Sequence, residues 1–286
     1  EYLVHWQEHK FPNSKPFSNL TMSSTPRVET ITIGDELLLG IRENAHLTYL
    51  GSQLAHHGLE PAANLVIRDD PEDIRLFFAE SWRRSDLVIT TGGLGPTTDD
   101  ITRESIAEAL GEELIFDPAI EAALKDRFGQ LEKAMPEINL RQCYRPTSAE
   151  VLKNPYGTAP GLLLKKDGKI LAMLPGPSRE MHPMFEEVIV PRLQKEGIFP
   201  EIDCYLQIRT AGIGESALAE KIEHLLDGKE ALVVGYCAHA GMVDVRLSSL
   251  DGDVLTEQGL HDLADACREA IGEDFVCFGE RTLAEV

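Results

Sequence analysis

The sequence lacks the cysteine patterns and the long apolar runs that define several protein classes. Its five cysteines stand singly, with no Cys-x-x-Cys pair and no Cys/His cluster at zinc-binding spacing. No stretch approaches the roughly 18 consecutive apolar residues of a membrane helix, and the N-terminus shows no basic region followed by an apolar run. We therefore expect a soluble, reduced, cytoplasmic protein with no membrane contact.

Basic residues are also scarce. Of the 286 residues, 27 are Lys or Arg and 48 are Asp or Glu, so the formal net charge is -21. A nucleic-acid-binding face needs local positive charge against the phosphate backbone, and we expect no nucleic-acid partner. A small anionic ligand is still compatible with this charge if backbone amides or a metal ion contact it.

From residue 28 onward, apolar runs such as "VETITIG" and "DLVITTGG" alternate with amphipathic stretches such as "PEDIRLFFAESWRRS". This alternation predicts an α/β fold with a mainly parallel sheet covered by helices on both faces. Gly and Pro interrupt the pattern near "KEGIFPEID", and a smaller α/β unit follows. We predict a disordered extension over 1–27, a larger domain over 28–198 and a smaller domain over 199–286.

Acidic residues follow three of the predicted strands. "GDELLLG" follows "ETITI", "RDDPED" follows "ANLVI", and "GGLGPTTDD" follows "DLVIT". Ligands of open parallel sheets bind outside the carboxyl ends of the strands, so these carboxylates are expected to gather in one crevice. Taken singly, Asp35 with Glu36 and Asp69 with its neighbours are more often helix starts than catalytic groups. The three loops together favour a ligand site.

The third loop carries the most chemistry. Gly92, Gly93 and Gly95 permit positive φ angles and a close approach of the backbone, so amides can surround an anion beside a helix start. Thr97 and Thr98 add hydroxyl donors. No Gly-Lys-Ser/Thr follows, and the third glycine of the dinucleotide fingerprint is missing, so the pattern favours neither a P-loop ATPase nor a dehydrogenase.

The paired aspartates after this loop have two interpretations. In the first, one of Asp99 and Asp100 caps the following helix and the other faces solvent near its dipole, together worth about 1 kcal/mol. In the second, one carboxylate holds a divalent cation that bridges to a ligand phosphate. The neighbouring glycines favour the second. Two Pro/Gly segments, "NPYGTAPG" and "LPGPSREM", are either element boundaries or further ligand contacts, with Ser178 as a helix cap in the second segment.

The motifs "GDELLLG", "TTGGLGPTTDD", "NPYGTAPG" and "LPGPSREM", with Asn44 and the later "AGIGESAL", resemble the CinA family of competence/damage-inducible proteins in order and spacing. The resemblance implies a MoaB/MogA-like molybdopterin-binding fold followed by a KH-like domain. It also implies that Asp100, the three loop glycines and Asp69 line a pocket for a phosphorylated ligand. The family's N-terminal domain is associated with metal-dependent hydrolysis of ADP-ribose to AMP and ribose 5-phosphate.

We therefore predict a metal-dependent ADP-ribose pyrophosphatase, in which water attacks phosphorus in line. The predicted catalytic residues are Asp100, Asp69 and Glu36, and the predicted ligands of the divalent metal (Mg, Mn or Co) are Asp100, Glu36 and Asp35. The predicted substrate-binding residues are Asn44, Gly92, Gly93, Gly95, Thr97, Thr98, Gly157, Thr158, Gly161, Pro175, Gly176 and Ser178. The MoaB/MogA resemblance favours a homo-oligomer.

This sequence departs from the family in two respects, and two other functions stay open. Many members continue into a nicotinamide-mononucleotide deamidase domain, whereas these residues end at "ERTLAEV", so we expect no deamidase activity from them. The "AGIGES" segment ends in an acid rather than forming a basic clamp, which disfavours RNA binding. The alternatives are a protein that binds or adenylylates molybdopterin, and a non-enzymatic interaction protein that would lose no ligand affinity in Asp100→Ala.

Overall fold

The computed structural model describes residues 26–199 and 205–279. The predicted extension, apart from its last two residues, and residues 200–204 beside the predicted domain boundary lie outside the described residues, and that boundary stays a prediction. The strands are β1 (Val28–Ile33), β2 (Pro61–Ile67), β3 (Leu87–Thr91), β4 (Leu114–Phe116), β5 (Tyr144–Pro146), β6 (Glu150–Leu152), β7 (Gly161–Lys166), β8 (Lys169–Leu174), β9 (Tyr205–Ala211), β10 (Leu232–His239), β11 (Met242–Ser249) and β12 (Phe275–Phe278).

The helices alternate with these strands. They are α1 (Asp35–Leu38), α2 (Ala45–His56), α3 (Pro71–Arg84), α4 (Thr102–Leu110), α5 (Pro118–Gln130), α6 (Ser178–Met184), α7 (Val190–Lys195), α8 (Glu215–Leu226) and α9 (Glu257–Ile271). A π-helical turn, Phe185–Ile189, joins α6 to α7, and 3₁₀ turns cover Glu137–Cys143 and Gly272–Asp274. Within the part of the chain that the structure describes, no helix is both long and apolar enough to cross a membrane.

The larger sheet has the strand order β2-β1-β3-β8-β7-β6. Strands β2, β1, β3 and β8 run parallel to one another, whereas β7 is antiparallel to both β8 and β6 at one edge. The predicted mainly parallel sheet is confirmed. A hairpin joins β7 to β8, and it turns through Asp167 and Gly168 with φ angles of 54° and 75°, as a type I′ turn requires.

Helices cover both faces of this sheet because its central strands are apolar on both sides. All six residues of β1 are buried. Val28 joins the core layer that α2, α6 and α7 complete, while Ile31 and Ile33 join the opposite layer with α3 and α4, since alternate side chains of a strand point to opposite faces. This sandwich leaves the carboxyl ends of the parallel strands at one edge, and their loops are free to form a cleft there.

The smaller sheet is antiparallel, with the order β10-β11-β9-β12. Helices α8 and α9 pack against it, and α9 buries Leu260, Ala264, Cys267 and Ile271 at the helical spacing of an amphipathic stripe. The predicted smaller α/β unit is present, with a strand, a helix, two strands and a helix in chain order before β12. Strand β12 was not predicted, because its four residues are too few to show a periodic pattern.

Candidate functional site

A cleft of about 770 Å³ opens at the carboxyl ends of β1, β2, β3 and β8. Ten of the predicted site residues line it: Glu36, Asn44, Asp69, Gly92, Gly93, Gly95, Asp100, Thr158, Gly176 and Ser178. Six others lie outside the lining: Asp35, Thr97, Thr98, Gly157, Gly161 and Pro175. Loops far apart in sequence therefore meet at one place, where the topology of a parallel sheet puts a ligand site.

The glycine loop after β3 is packed so tightly that side chains cannot replace its glycines. Gly92 and Gly93 have φ angles of 98° and 65°, and a β-carbon on Gly93 would collide with the side chain of Thr102. A β-carbon on Gly95 would overlap the carboxylate of Asp100. These contacts fix the backbone path beside the start of α4, so the loop presents main-chain groups to the cleft.

Asp100 closes a short turn at the end of this loop. Its Oδ2 accepts hydrogen bonds from the backbone N–H of Thr97, at 2.9 Å, and from the Thr97 hydroxyl. The same threonine hydroxyl lowers the pKa of Asp99, with a smaller contribution from Arg141. Helix α4 begins at Thr102 after Ile101, with no side-chain cap. The interpretation of Asp99 or Asp100 as the helix cap is therefore wrong, because both carboxylates turn back to the loop.

Asp69 lies where the acidic loops converge. Its Oδ2 accepts the backbone N–H of Asp35 at 2.9 Å. Burial raises the pKa of Asp69, and the charges of Asp35, Glu36 and Asp99 raise it further, against the opposing effect of the Asp35 hydrogen bond. Asp35 itself turns outward, with Oδ1 3.6 Å from Nε of Arg68. Asp70, not Asp69, caps α3.

We call Glu36, Asp69, Asp99 and Asp100 the acid side of the cleft. Their carboxylate oxygens are the ligand type that Mg²⁺ and Mn²⁺ prefer. Among residues 26–199 and 205–279, no three Asp, Glu, His or Cys side chains are already gathered as a ligand set. The donors nevertheless fit a Mg²⁺-type site, since Mg²⁺ is usually held by one or two carboxylates, waters and substrate phosphates. A cation would also offset the mutual repulsion that raises the pKa of Asp69.

The opposite side of the cleft carries polar but mostly uncharged groups. We call Asn44, His46, Gln142, Thr158 and Ser178 the polar side. Asn44 caps α2 by accepting the backbone N–H of Leu47 at 3.2 Å. Ser178 is the first residue of α6, and the preceding Pro177 is the N-cap position without a side-chain bond, so the interpretation of Ser178 as a cap is wrong.

His46 is the most constrained group on the polar side. Its Nδ1 lies 2.9 Å from Oγ1 of Thr91, a fully buried residue at the end of β3. Burial lowers the pKa of His46 and nearby His182 adds to this, whereas the Gly176 carbonyl and Glu36 oppose it. The imidazole is therefore neutral at neutral pH, and the ring ties α2 to β3 and to the β8–α6 loop. Neither its position nor its role was predicted.

Two further residues missed by the sequence analysis come from the 3₁₀ segment Glu137–Cys143. Nε2 of Gln142 reaches the carbonyl of Leu94 and the hydroxyl of Thr158, each at 3.5 Å. Arg141 donates to the carbonyls of Thr97 and Asp100 on the outside of the loop. The segment "EINLRQC" has no strand or helix period, so no signal in the sequence placed it against the cleft.

The segment "NPYGTAPG" supports the cleft wall mainly from behind. Glu180 of α6 is buried and lies so close to Gly157 that a β-carbon there would collide with it. Asn154 donates from Nδ2 to Glu180 at 2.8 Å and to the Ala159 carbonyl at 2.7 Å. Gly161 starts β7 against Met184, and Pro175 is buried after β8. Of the ligand contacts predicted in this segment, Thr158 is the one that lines the cleft.

A mainly parallel α/β sheet, with a glycine loop and an acidic cleft at the carboxyl ends of its strands, defines the structural class of the larger unit. Residues 29–195 match the family model described as "Probable molybdopterin binding domain", and residues 207–276 match "Damage-inducible protein CinA KH domain". The chain belongs to the CinA-like family. The predicted resemblance, and the predicted order of a mainly parallel sheet and a KH-like unit, are confirmed.

Known relatives agree with this assignment. The chain is 38% identical over 264 residues to a CinA-like protein of Kosmotoga olearia, which covers 91% of this chain and 63% of the relative. It is 36% identical over 260 residues to a CinA-like protein of Syntrophomonas wolfei, covering 90% and 62%. A crystal structure of the protein CinA with unknown function from Thermoplasma acidophilum is 33% identical, with a TM-score of 0.55, over 62% of this chain and 100% of that one. The chain thus spans about three-fifths of the length of the curated relatives.

Proposed function

We propose that this protein is a divalent-metal-dependent pyrophosphatase that hydrolyses ADP-ribose, or a related dinucleotide, to AMP and ribose 5-phosphate. One observation carries the proposal: carboxylates from the loops after β1, β2 and β3 converge around Asp69, directly beside the glycine loop. Such an arrangement of negative charge beside an amide-rich bend suits a phosphate only when a cation lies between them.

Three side chains of the acid side, Glu36, Asp69 and Asp100, have a role in this proposal. Glu36 and Asp69 would hold the cation, and the glycine loop would orient one phosphate through its backbone amides. Asp100 fixes the Thr97 turn through Oδ2 and lines the same cleft. When bound, the cation lowers the pKa of water and offsets the charge of the pyrophosphate. Water adds to phosphorus, the bridging P–O bond breaks, and the two monophosphate products leave.

The polar side suits the uncharged parts of such a substrate. Neutral His46, Asn44, Thr158 and Ser178 offer hydrogen-bond donors and acceptors without a net charge. A nucleoside or a ribose carries hydroxyls and ring nitrogens that pair with such groups. The substrate's negative centre therefore lies towards the acid side and its hydroxyl-rich parts towards the polar side.

The direct test is to incubate the protein with ADP-ribose and Mg²⁺, Mn²⁺ or Co²⁺ and to measure AMP by chromatography. We expect AMP and ribose 5-phosphate in equal amounts, no reaction after chelation, and recovery on adding back metal. Glu72→Gln is a matched control for Asp69→Asn, because Glu72 is an exposed carboxylate three residues further on, in the first turn of α3 and outside the cleft. Absence of AMP with all three metals would overturn the proposal.

A second candidate is a protein that binds or adenylylates molybdopterin. The observation that favours it is the match of residues 29–195 to the probable molybdopterin-binding family. In this case the glycine loop would hold the phosphate of the pterin and the polar side its ring. Tight molybdopterin binding without turnover of ADP-ribose would favour the second candidate over the first.

A further inference from the structure

Arg42 is unusual among the cleft residues. In the described part of the chain it is the one lining side chain with a permanent positive charge, in a cleft that carboxylates dominate. It is exposed on the segment between α1 and α2. The backbone of this segment is held in place, because the N–H groups of Ile41 and Arg42 donate to the carbonyl of Glu36 at 2.9 and 3.2 Å.

The side chain of Arg42 differs from other arginines at this edge of the sheet. Arg68 lies 3.6 Å from Asp35, and Arg179 lies 3.8 Å from Glu180. Within residues 26–199 and 205–279, Arg42 makes no ion pair. A guanidinium at the rim of an acidic cleft, engaged by none of its carboxylates, is available for an anion that enters the cleft.

We infer that Arg42 binds a second phosphate of the ligand, so that the cleft selects diphosphates over monophosphates. The inference rests on the proposed function only in placing the first phosphate at the glycine loop. Loop amides and one cation account for a single phosphate. A second phosphate brings another charge that the carboxylates of the acid side repel, and a guanidinium matches its oxygens with two parallel hydrogen bonds. A ligand with one phosphate leaves Arg42 unused.

Calorimetric binding of ADP and AMP in the presence of Mg²⁺ tests this without any turnover. A charge-assisted contact predicts that the wild type binds ADP at least about tenfold more tightly than AMP. In Arg42→Gln the affinities for ADP and AMP should differ by about threefold or less. Arg42→Lys should keep part of the preference for ADP, because lysine keeps the charge but lacks the planar guanidinium that donates two parallel hydrogen bonds. Arg68→Gln, which removes a nearby charge outside the cleft, should keep the wild-type ratio.

The outcomes separate this inference from the proposed activity. An ADP preference that survives in Arg42→Gln, or is absent in the wild type, overturns the role of Arg42. A preference that depends on Arg42 in a protein that never hydrolyses ADP-ribose supports the inference and removes the pyrophosphatase. If Arg42→Gln hydrolyses ADP-ribose with unchanged kcat and KM, the role of Arg42 is overturned and the pyrophosphatase stands. Thermal melts establish that the variants are folded, as expected for an exposed side chain.

Discussion

The acid side and the polar side of the cleft arise from the same sheet edge, yet they differ in charge and in what fixes them. The acid side follows β1, β2 and β3, and its carboxylates repel one another strongly enough to contribute to the raised pKa of Asp69. The polar side comes from the start of α2, the 3₁₀ segment and the loops around β7 and β8. Its one imidazole is kept neutral by burial.

This difference teaches how an acidic protein can accept an anion. Repulsion among carboxylates is a cost that a divalent cation would remove, so under the proposed function the acid side is completed by the ion and its phosphate. The polar side is satisfied without a ligand, because His46, Asn44 and Gln142 already bond to neighbouring strands and loops. The two sides should therefore respond differently to substitution, metal and pH.

The largest effect is expected from Asp69→Asn. Removing the carboxylate at the point where the acidic loops meet should lower the initial rate of AMP release by roughly 100- to 1,000-fold, the magnitude seen when one preorganised electrostatic group is lost. Glu72→Gln should retain the wild-type rate. If Asp69→Asn kept full activity, the acid side would not be the site of the reaction.

A loss of comparable size is expected from one member of the aspartate pair only. Asp100→Asn should abolish turnover, because Asp100 lines the cleft and anchors the Thr97 turn. Asp99→Asn should be close to the wild type, since Asp99 also lines the cleft but is exposed and does not accept the backbone N–H that anchors the Thr97 turn. The check is kcat for both variants at saturating metal, and equal loss in both would mean that the two carboxylates share one role.

A β-carbon added to the glycine loop should disturb the acid side through steric overlap alone. In Gly95→Ala the new β-carbon overlaps the Asp100 carboxylate, so the free energy of unfolding should fall by about 1–3 kcal/mol as the turn shifts. Gly129→Ala is the matched control, because a β-carbon there has open space in α5. Replacing a helical glycine by alanine should raise the free energy of unfolding by about 0.5–1 kcal/mol. Denaturant unfolding measures both, and similar values in the two variants would contradict the packing argument.

The smallest effect concerns pH. The pKa of Asp69 is raised in the folded state above its ordinary value of 3.8, so the stability that it contributes is present below that value and is lost as pH rises through the folded pKa. Without metal, Asp69→Asn should therefore melt at or slightly above the wild-type temperature at pH 7. The melting temperatures of the two proteins should converge at acidic pH. Added Mn²⁺ should raise the melting temperature of the wild type only.

Much of the fold and the acid side could be predicted from the sequence. Parallel strands ending in acidic or glycine-rich loops leave a periodic apolar pattern, and the topology of such sheets brings those loops together. Asp69, Glu36 and the loop glycines all line the cleft for this reason. The roles of Asp99 and Asp100 as caps were misjudged because the spacing from a helix start does not reveal a carboxylate that folds back onto Thr97.

Part of the polar side could not be predicted from the sequence. His46 and Gln142 acquire their positions from tertiary contacts with Thr91, Leu94 and Thr158, which lie 16 to 48 residues away along the chain. Arg141 holds the glycine loop from outside, at a separation of 41 to 44 residues. No local period encodes such contacts, and Gly157 shows the same limit, because its requirement for glycine comes from Glu180 of a later helix.

The pairing of β3 with β8 bears on how the protein is made. These strands are adjacent in the sheet, although the whole segment from residue 92 to residue 168 lies between them. Non-local pairing of this kind closes a long loop late and slows folding. On the ribosome, the acidic loops emerge together with α2, whereas the residues that β8 and α6 add to the cleft are synthesised much later. The full lining of the cleft is therefore assembled only after β8 has docked beside β3.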